Sequence, residues 1–485
     1  MDDAIIAGCV AALGTAVGAA DGGLPGVLSR TTIERFELLQ TPDLWGHDPA
    51  DNSYWLVAGG GAAPLPAGSR RLLAAIEDVI ASAEQLVDIA SLEPFAAGDF
   101  AVAIRRGLAR AASRGRLLTI RVLYGRHRFV TQTDADFAAA IRDLAADLPP
   151  ESAVRLHACR METSNDQKAP SWNHAKIVAV DGREAIVGGH NLWHPDYLGL
   201  APVHDLSARI TGAAAGEAHA FLDRLWGWVG RQLAAPSAIG SVHAIRWAGG
   251  RIEPAGPPPA VELAAAPSGS IPALAVGRLG TGVTPDATIM DARIIDARIA
   301  NVGAAVAALA FRQARSSIRI SQMDFGFHWD GVNFWSADVV SALADVLTDP
   351  ARAVDVMLVL SEPGAKTAAG GPYSFGTTLA DIVAEMRRMI GDRPVSGRMR
   401  LAALRFSPQG DRWVHGGVEL KIINHAKFWM VDERAFHIGS DNLYPHNLQE
   451  FGYVVESPSL AREALAAYWE PLWMHSSRVA IDAAS

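Results

Sequence analysis

One stretch of this chain occurs twice. Asn173-His174-Ala175-Lys176 is followed by an apolar run, 177–180, and then by Asp181; Asn424-His425-Ala426-Lys427 is followed by an apolar run, 428–431, and then by Asp432. Gly188-Gly189 and Asn191 match Gly439-Ser440 and Asn442, and every matched position is displaced by 251 residues. About eight chemically specific positions in one register exclude coincidence and demand a duplicated architecture.

The segments before the two motifs correspond as well. Residues 86–91 and 318–323 read as buried strands. Amphipathic helices are predicted over 100–113 and 336–347, strands over 118–124 and 354–360, helices over 134–148 and 378–390, and strands over 154–158 and 401–405. Strand-helix alternation of this kind predicts two similar α/β halves, with mixed, largely parallel sheets flanked by helices, packed as a pseudo-two-fold pair within one chain. A Pro/Ala/Gly-rich stretch at 234–286, which includes Pro257-Pro258-Pro259, reads as a connector with few regular elements. The halves are therefore placed at 1–245 and 246–485, the second including the connector.

Composition narrows the function. With 485 residues, 49% of them apolar and 20% charged, the chain has ample material for a core and is neither disordered nor fibrous. Lys plus Arg is 43 against 52 Asp plus Glu, a formal net charge of −9, which disfavours nonspecific nucleic-acid binding. Two cysteines, Cys9 and Cys159, exclude a cysteine-rich metal site and allow one disulfide at most. Residues 4–20 carry no charge but are too short and too weakly apolar to span a bilayer, and Met1-Asp2-Asp3 lacks the positive start of a signal peptide. They read as a helix capped by Asp2 or Asp3 and ended near Gly22-Gly23.

The motif carries chemistry. On a strand, residues i and i+2 share a face, so His174 points with Lys176 and His425 with Lys427. Asp181 lies seven positions past His174, on the other face and roughly 23 Å away if extended. Asp181-Gly182 is a hairpin signal, so Asp181 and Asp432 read as turn or scaffold residues. If the chain turns there, the return strand brings Asn191 back to His174 and Lys176, with glycines allowing close backbone approach. Two such halves face to face offer two imidazoles, two ammoniums and two amides, which suits a phosphodiester. Lysines and amides stabilise phosphoryl oxygens as charge develops. One imidazole is a competent nucleophile, and the other can serve as acid and then base. A divalent metal is unnecessary, and two lysines would repel one; no cofactor is expected.

The pattern HxKxxxxDxxxxxxG(G/S)xN, present twice, resembles the phospholipase D superfamily. Ser171-Trp172-Asn173-His174, Ile438-Gly439-Ser440-Asp441-Asn442-Leu443-Tyr444-Pro445, the stretch from Phe451 to Pro458 and the early Leu39-Gln40-Thr41-Pro42 with Trp45-Gly46 are similar to the secreted actinobacterial (Streptomyces-type) enzymes. The resemblance implies a phosphohistidine on His174 and general acid–base work at His425. It implies catalytic Lys176, Asn191, Lys427 and Asn442, with a carboxylate behind each imidazole: Asp205 in the first half, and Glu450, where the family carries Asp, behind His425 in the second. Trp193, Tyr197 and Tyr373, with Gly189 and Ser440, would line a substrate pocket in which aromatic faces hold a quaternary ammonium. The implied partners are a phospholipid at a membrane or micelle surface and an alcohol acceptor. Nucleic acid is not expected, and a monomer suffices because one chain carries both motifs. The implied activity is hydrolysis of phosphatidylcholine-type lipids to phosphatidic acid, with transphosphatidylation. The implied location is extracellular, although the relatives' disulfide cysteines are absent.

Two other readings compete: a nuclease or other phosphodiesterase on the same scaffold, and a binding protein on a degenerate one. Intact His, Lys and Asn in both halves argue against the second. His157, His190, His219, His437 and His446 are expected to be structural. The aromatic stretch 325–335 follows a strand that should end at the site, and some of its side chains are expected to reach a lipid surface.

Overall fold

The computed structural model describes residues 4–13, 23–48, 65–126, 131–149, 151–166, 170–283, 302–364, 373–409, 412–415 and 417–483. Two large mixed sheets form the body, and the duplication is visible strand by strand. In the first sheet the neighbours run Val154–Ser164, Leu118–Gly125, Leu86–Leu92, Lys176–Val180, Glu184–Gly188, Asp205–Thr211, Arg35–Thr41. In the second they run Arg398–Ala403, Asp355–Leu360, Ser317–Gln322, Lys427–Val431, Ala435–Gly439, Glu450–Glu456, Ile271–Arg278.

Parallel pairing is confined to the first three strands of each series. These are the strands joined through helices: Gly98–Ala112 and Asp134–Leu144 in one half, Ala337–Leu347 and Leu379–Ile390 in the other. The motif strands turn back through tight hairpins and so pair antiparallel, which makes each sheet mixed. The second helix of each pair starts with the same device. Thr133 Oγ1 accepts from Asp136 N at 3.1 Å while Asp136 returns a bond to Thr133 N, and Thr378 with Asp381 repeats it. Each capping box contributes about 1 kcal/mol and fixes where its helix begins.

At the hairpin tips Asp181 and Asp432 adopt φ of 51° and 52°. The Asp181 carboxylate accepts from the backbone N–H of Glu84, Gln85 and Leu86 at 2.7–2.9 Å. Asp432 does the same for Arg315, Ser316 and Ser317 at 2.8–2.9 Å. Each thus ties its hairpin to the start of the first parallel strand.

The connector differs from expectation. Ser241–Ala248 and Arg251–Pro254 extend the first sheet, and Ile271–Arg278 lies inside the second, between Leu28–Ile33 and Glu450–Glu456. Its small residues Ala273 and Ala275 have weak strand preference, but burial beside Leu274 and Val276 overrides it. Residues 284–286 of the connector lie outside the described residues. The order of the chain is also not the order of the sheets: Leu28–Ile33 pairs in the second sheet, and Arg35–Thr41 in the first.

The N-terminal helix is Ile5–Leu13, and its expected continuation over 14–20, the Gly22 stop and the caps at Asp2 and Asp3 lie outside the described residues. The Glu456 carboxylate accepts from the N–H of Ile5 and Ile6 at the start of the helix, at 2.9 and 3.1 Å. Cys9 and Cys159 are buried free thiols. No helix among the described residues is long and apolar enough to cross a membrane.

Candidate active site

The motif residues sit where the two sheets meet. Asn173 and Asn424, just before each imidazole, anchor the entry to the motif. Asn173 Nδ2 donates to Ser91 O and Ala175 O at 3.3 Å, and Asn424 Nδ2 donates to Gln322 O at 3.0 Å and Val359 O at 3.2 Å. Each lysine then donates to the carbonyl of its own histidine, Lys176 to His174 O and Lys427 to His425 O. The i, i+2 relation predicted from the strand is therefore closed by a hydrogen bond.

Backbone bridges join the halves around a two-fold pattern. His174 N donates to Gln449 O at 2.9 Å, and His425 N donates to His204 O at 2.8 Å. Gln449 and His204 immediately precede the two carboxylates, so each bridge delivers the carboxylate of one half to the imidazole of the other. His174 Nδ1 lies 2.7 Å from Glu450 Oε1, and His425 Nδ1 lies 2.6 Å from Asp205 Oδ2. This corrects the assignment of Asp205 to His174 and of Glu450 to His425: the pairs are crossed. Sequence proximity suggested pairing within a half, but the strands carrying Asp205 and Glu450 point across the junction.

Asp205 and Glu450 occupy equivalent places. Ser207 pairs with Gly188, Gly452 pairs with Gly439, and each carboxylate lies two residues before that pair. Their neighbours differ. A Cβ at Gly189 would stand 2.0 Å from Asp205 Oδ1, so only glycine leaves room there. At the matching position Ser440 Oγ donates to Glu450 Oε2 and accepts from Phe451 N at 3.1 Å.

All eight of these catalytic candidates are buried. Burial, then Lys176, Lys427 and His425, push the His174 imidazole well below its usual pKa. Burial followed by Lys427 brings His425 down to about 3. Burial likewise brings Lys176 down to about 7 and Lys427 to about 8, against the pull of Asp205 and Glu450. At Asp205 burial pushes upward, but His425 and Lys427 outweigh it and hold the carboxyl below its usual range. At Glu450 burial prevails over Lys176 and lifts the carboxyl to about 8. Several of these effects reach from one half into the other, as from Lys427 to His174 and from Lys176 to Glu450, and they mark a single electrostatic cluster. Asn191 and Asn442 are buried with both side-chain amide atoms unpartnered among the described residues. An unpaired buried amide costs about 1–3 kcal/mol, so two at equivalent positions mark polar groups suited to bind a ligand.

Of the expected aromatic pocket, Tyr197 and Tyr373 both reach His425. Tyr197 OH lies 3.0 Å from Asp205 Oδ2 and 3.0 Å from His425 Nδ1, and the Tyr373 ring meets the imidazole edge-on at 4.9 Å. Trp193 does not reach His425 through any such contact; it donates from Nε1 to Pro94 O at 2.8 Å and packs against Leu92, Trp172 and Leu448. The residues preceding Tyr373 in its loop, 370–372, lie outside the described residues.

Sequence reasoning missed several supports. His446, read as structural, donates from Nε2 to Asp441 Oδ1 at 3.1 Å and lies 3.7 Å from Glu450 Oε1. Asp441, His446 and Glu450 have ligand atoms within 4.8 Å of one another, the spacing of a metal group. Each is already engaged, however, and the Arg278 guanidinium, 3.0 Å from Asp441 Oδ1, supplies the countercharge. Their nearness to Asn442 in sequence was the available signal.

No family model matches the chain. It is 32% identical over 480 residues to phospholipase D of Streptomyces antibioticus, covering 91% of this chain and 81% of that protein. A shorter likeness, 36% over 84 residues, joins 16% of the chain to 17% of cardiolipin synthase A of Pseudomonas fluorescens (strain SBW25). In structure it is similar to phosphatidylserine synthase of Haemophilus influenzae Rd KW20, with a TM-score of 0.52, 14% identity, and coverage of 93% and 89% of the two chains.

Proposed function

The chain belongs to the phospholipase D superfamily and acts on phosphodiester bonds, and on that premise we propose that it is a phospholipase D that cleaves phosphatidylcholine-type lipids through a histidine-bound phosphatidyl intermediate. The observation that carries the reading is the crossed pairing of the two imidazoles with Glu450 and Asp205. With Nδ1 engaged by a carboxylate, the other ring nitrogen, Nε2, is the reactive one in both residues.

In the first step His174 Nε2 attacks phosphorus and the bond to the headgroup oxygen breaks. His425 delivers a proton from Nε2 to that oxygen, releasing the alcohol. In the second, His425 takes a proton from water, the resulting nucleophile attacks phosphorus, and the N–P bond breaks to give phosphatidic acid. An alcohol in place of water gives a new phospholipid. Lys176, Lys427 and the amides of Asn191 and Asn442 bind the phosphoryl oxygens. Burial and then Lys427 and Lys176 oppose protonation of His425, and an anionic diester beside it favours the imidazolium that a general acid needs.

The headgroup meets Tyr197 and Tyr373 on the His425 side, with Trp193 beside Trp172 and Leu92, and Gly189 and Ser440 shape the walls behind the carboxylates. One assay tests the reading: choline release from phosphatidylcholine beside nucleic-acid cleavage, with His174→Ala as control. Choline release that disappears in the variant is expected. Nucleic-acid cleavage without choline release would overturn the lipid assignment.

A further inference from the structure

The two halves use the same scaffold, but they differ between the first parallel strand and the helix after it. In the first half five residues, 93–97, make this connection; in the second it takes fourteen, 323–336. The fold therefore does not need the extra length. It forms a two-stranded hairpin, Phe327–Trp329 with Val332–Phe334, turning at Asp330-Gly331 with φ of 49° and 77°.

The hairpin is amphipathic. Phe327 pairs with Phe334 and Trp329 with Val332, so all four lie on one face, while His328 and Asn333 pair on the other and hydrogen-bond at 2.9 Å. The apolar face is open at its tip, where Trp329 is 63% and Val332 52% exposed. A lone hairpin is marginal in water, and this one is held by a buried carboxylate. Asp324 accepts from Phe325 N at 3.0 Å and from Phe375 N at 2.7 Å, locking the hairpin's base to the loop that carries Tyr373. Aromatic rings continue from the tip inward: Trp329 stacks on Phe327 at 6.3 Å, Phe327 meets Phe375 at 4.9 Å, and Tyr373, two residues from Phe375, meets His425 at 4.9 Å.

We propose that this hairpin is the docking element for a phospholipid bilayer, its Trp329–Val332 tip entering the interfacial region and the Phe327, Phe375 and Tyr373 rings behind the tip leading the lipid to His425. The inference rests on the phospholipase reading for its partner. A tryptophan on an apolar face beside a polar one is the composition that settles at a membrane interface. The preformed clamp means little ordering entropy is lost on docking.

The test uses the full chain with Trp329→Ala and Val332→Ser, both at exposed positions. Sedimentation with phosphatidylcholine vesicles and choline release from them are each expected to fall about tenfold, equivalent to about 1.4 kcal/mol of lost apolar transfer. Turnover of a monomeric short-chain phosphatidylcholine should change less than about twofold, well inside that factor. Equal loss on both substrates, or unchanged sedimentation, overturns the proposal. Sedimentation depends on no chemistry, so a chain that binds vesicles through Trp329 yet releases no choline keeps this surface and refutes the phospholipase reading.

Discussion

His174 and Glu450 are 276 positions apart in the chain and share a 2.7 Å hydrogen bond. Burial, the largest influence on each, lowers the imidazole and raises the carboxyl, so this pair resists separated charges. Its counterpart, His425 with Asp205, contains an ionised carboxylate. The scaffold is symmetric, but the electrostatics are not.

That asymmetry makes leaving groups diagnostic. Asp205→Asn weakens the acid, so it should cost about 10²–10⁴-fold on a choline ester and far less on a p-nitrophenyl ester, whose leaving group needs no proton. Glu450→Gln weakens the nucleophile and should cost both substrates alike. Steady-state kcat/KM on the two esters decides, and the reverse pattern would mean that the roles of the histidines are exchanged.

Anion affinity should depend on pH through the lysines. Lys176 near 7 and Lys427 near 8 must be protonated to hold a phosphoryl group, and a bound anion raises both values. Inhibition by inorganic phosphate is therefore expected to weaken as pH rises past 8, approaching about tenfold per unit for each proton that binding must take up. A constant Ki between pH 6.5 and 9 would show that these ammoniums do not contact the anion.

Stability should fall in mild acid. Burial first of all holds His190, His204, His437 and His446 down at about 4. Their unfolded value is about 6.5, so between about 4 and 6.5 the unfolded chain binds more protons. The stabilisation is complete above about 6.5 and is lost as pH falls, by up to about 1.4 kcal/mol per unit for each imidazole. Urea midpoints at pH 7.5 and 5.5 measure it, and equal midpoints would refute the neutral assignment.

The wall behind Asp205 has no spare volume. Gly189→Ala puts a methyl 2.0 Å from Asp205 Oδ1 and should abolish most activity while leaving the fold's circular dichroism intact. Ser440→Ala removes one donor to Glu450 and should cost about tenfold, the weight of one hydrogen bond to a charged or polar partner. A neutral effect of Gly189→Ala would mean that Asp205 has another place to sit.

Much of this was legible in the sequence, because the duplication states the architecture twice. Most strand and helix positions agree with the structure to within a few residues, though Val154–Ser164 runs six residues past the expected end at 158, and Asp181 and Asp432 sit at hairpin tips. Parallel pairing proved narrower than expected, and the Ile271–Arg278 strand went unseen because alanines carry little periodic signal. The crossing of Asp205 and Glu450 was invisible for a different reason. It is set by the two backbone bridges at Gln449 and His204, which involve no side chain and so leave no mark in residue type.

The route of the chain at Glu34 limits how substrate gets in. Leu28–Ile33 is hydrogen-bonded into one sheet and Arg35–Thr41 into the other, so a taut ribbon crosses the junction with a single residue between its two anchors. Hinged opening of the halves, the common way for two-lobed proteins to admit a ligand, would have to unzip one of those strands. A bulky amphiphile must instead thread in from the rim, and any gating belongs to the loops there.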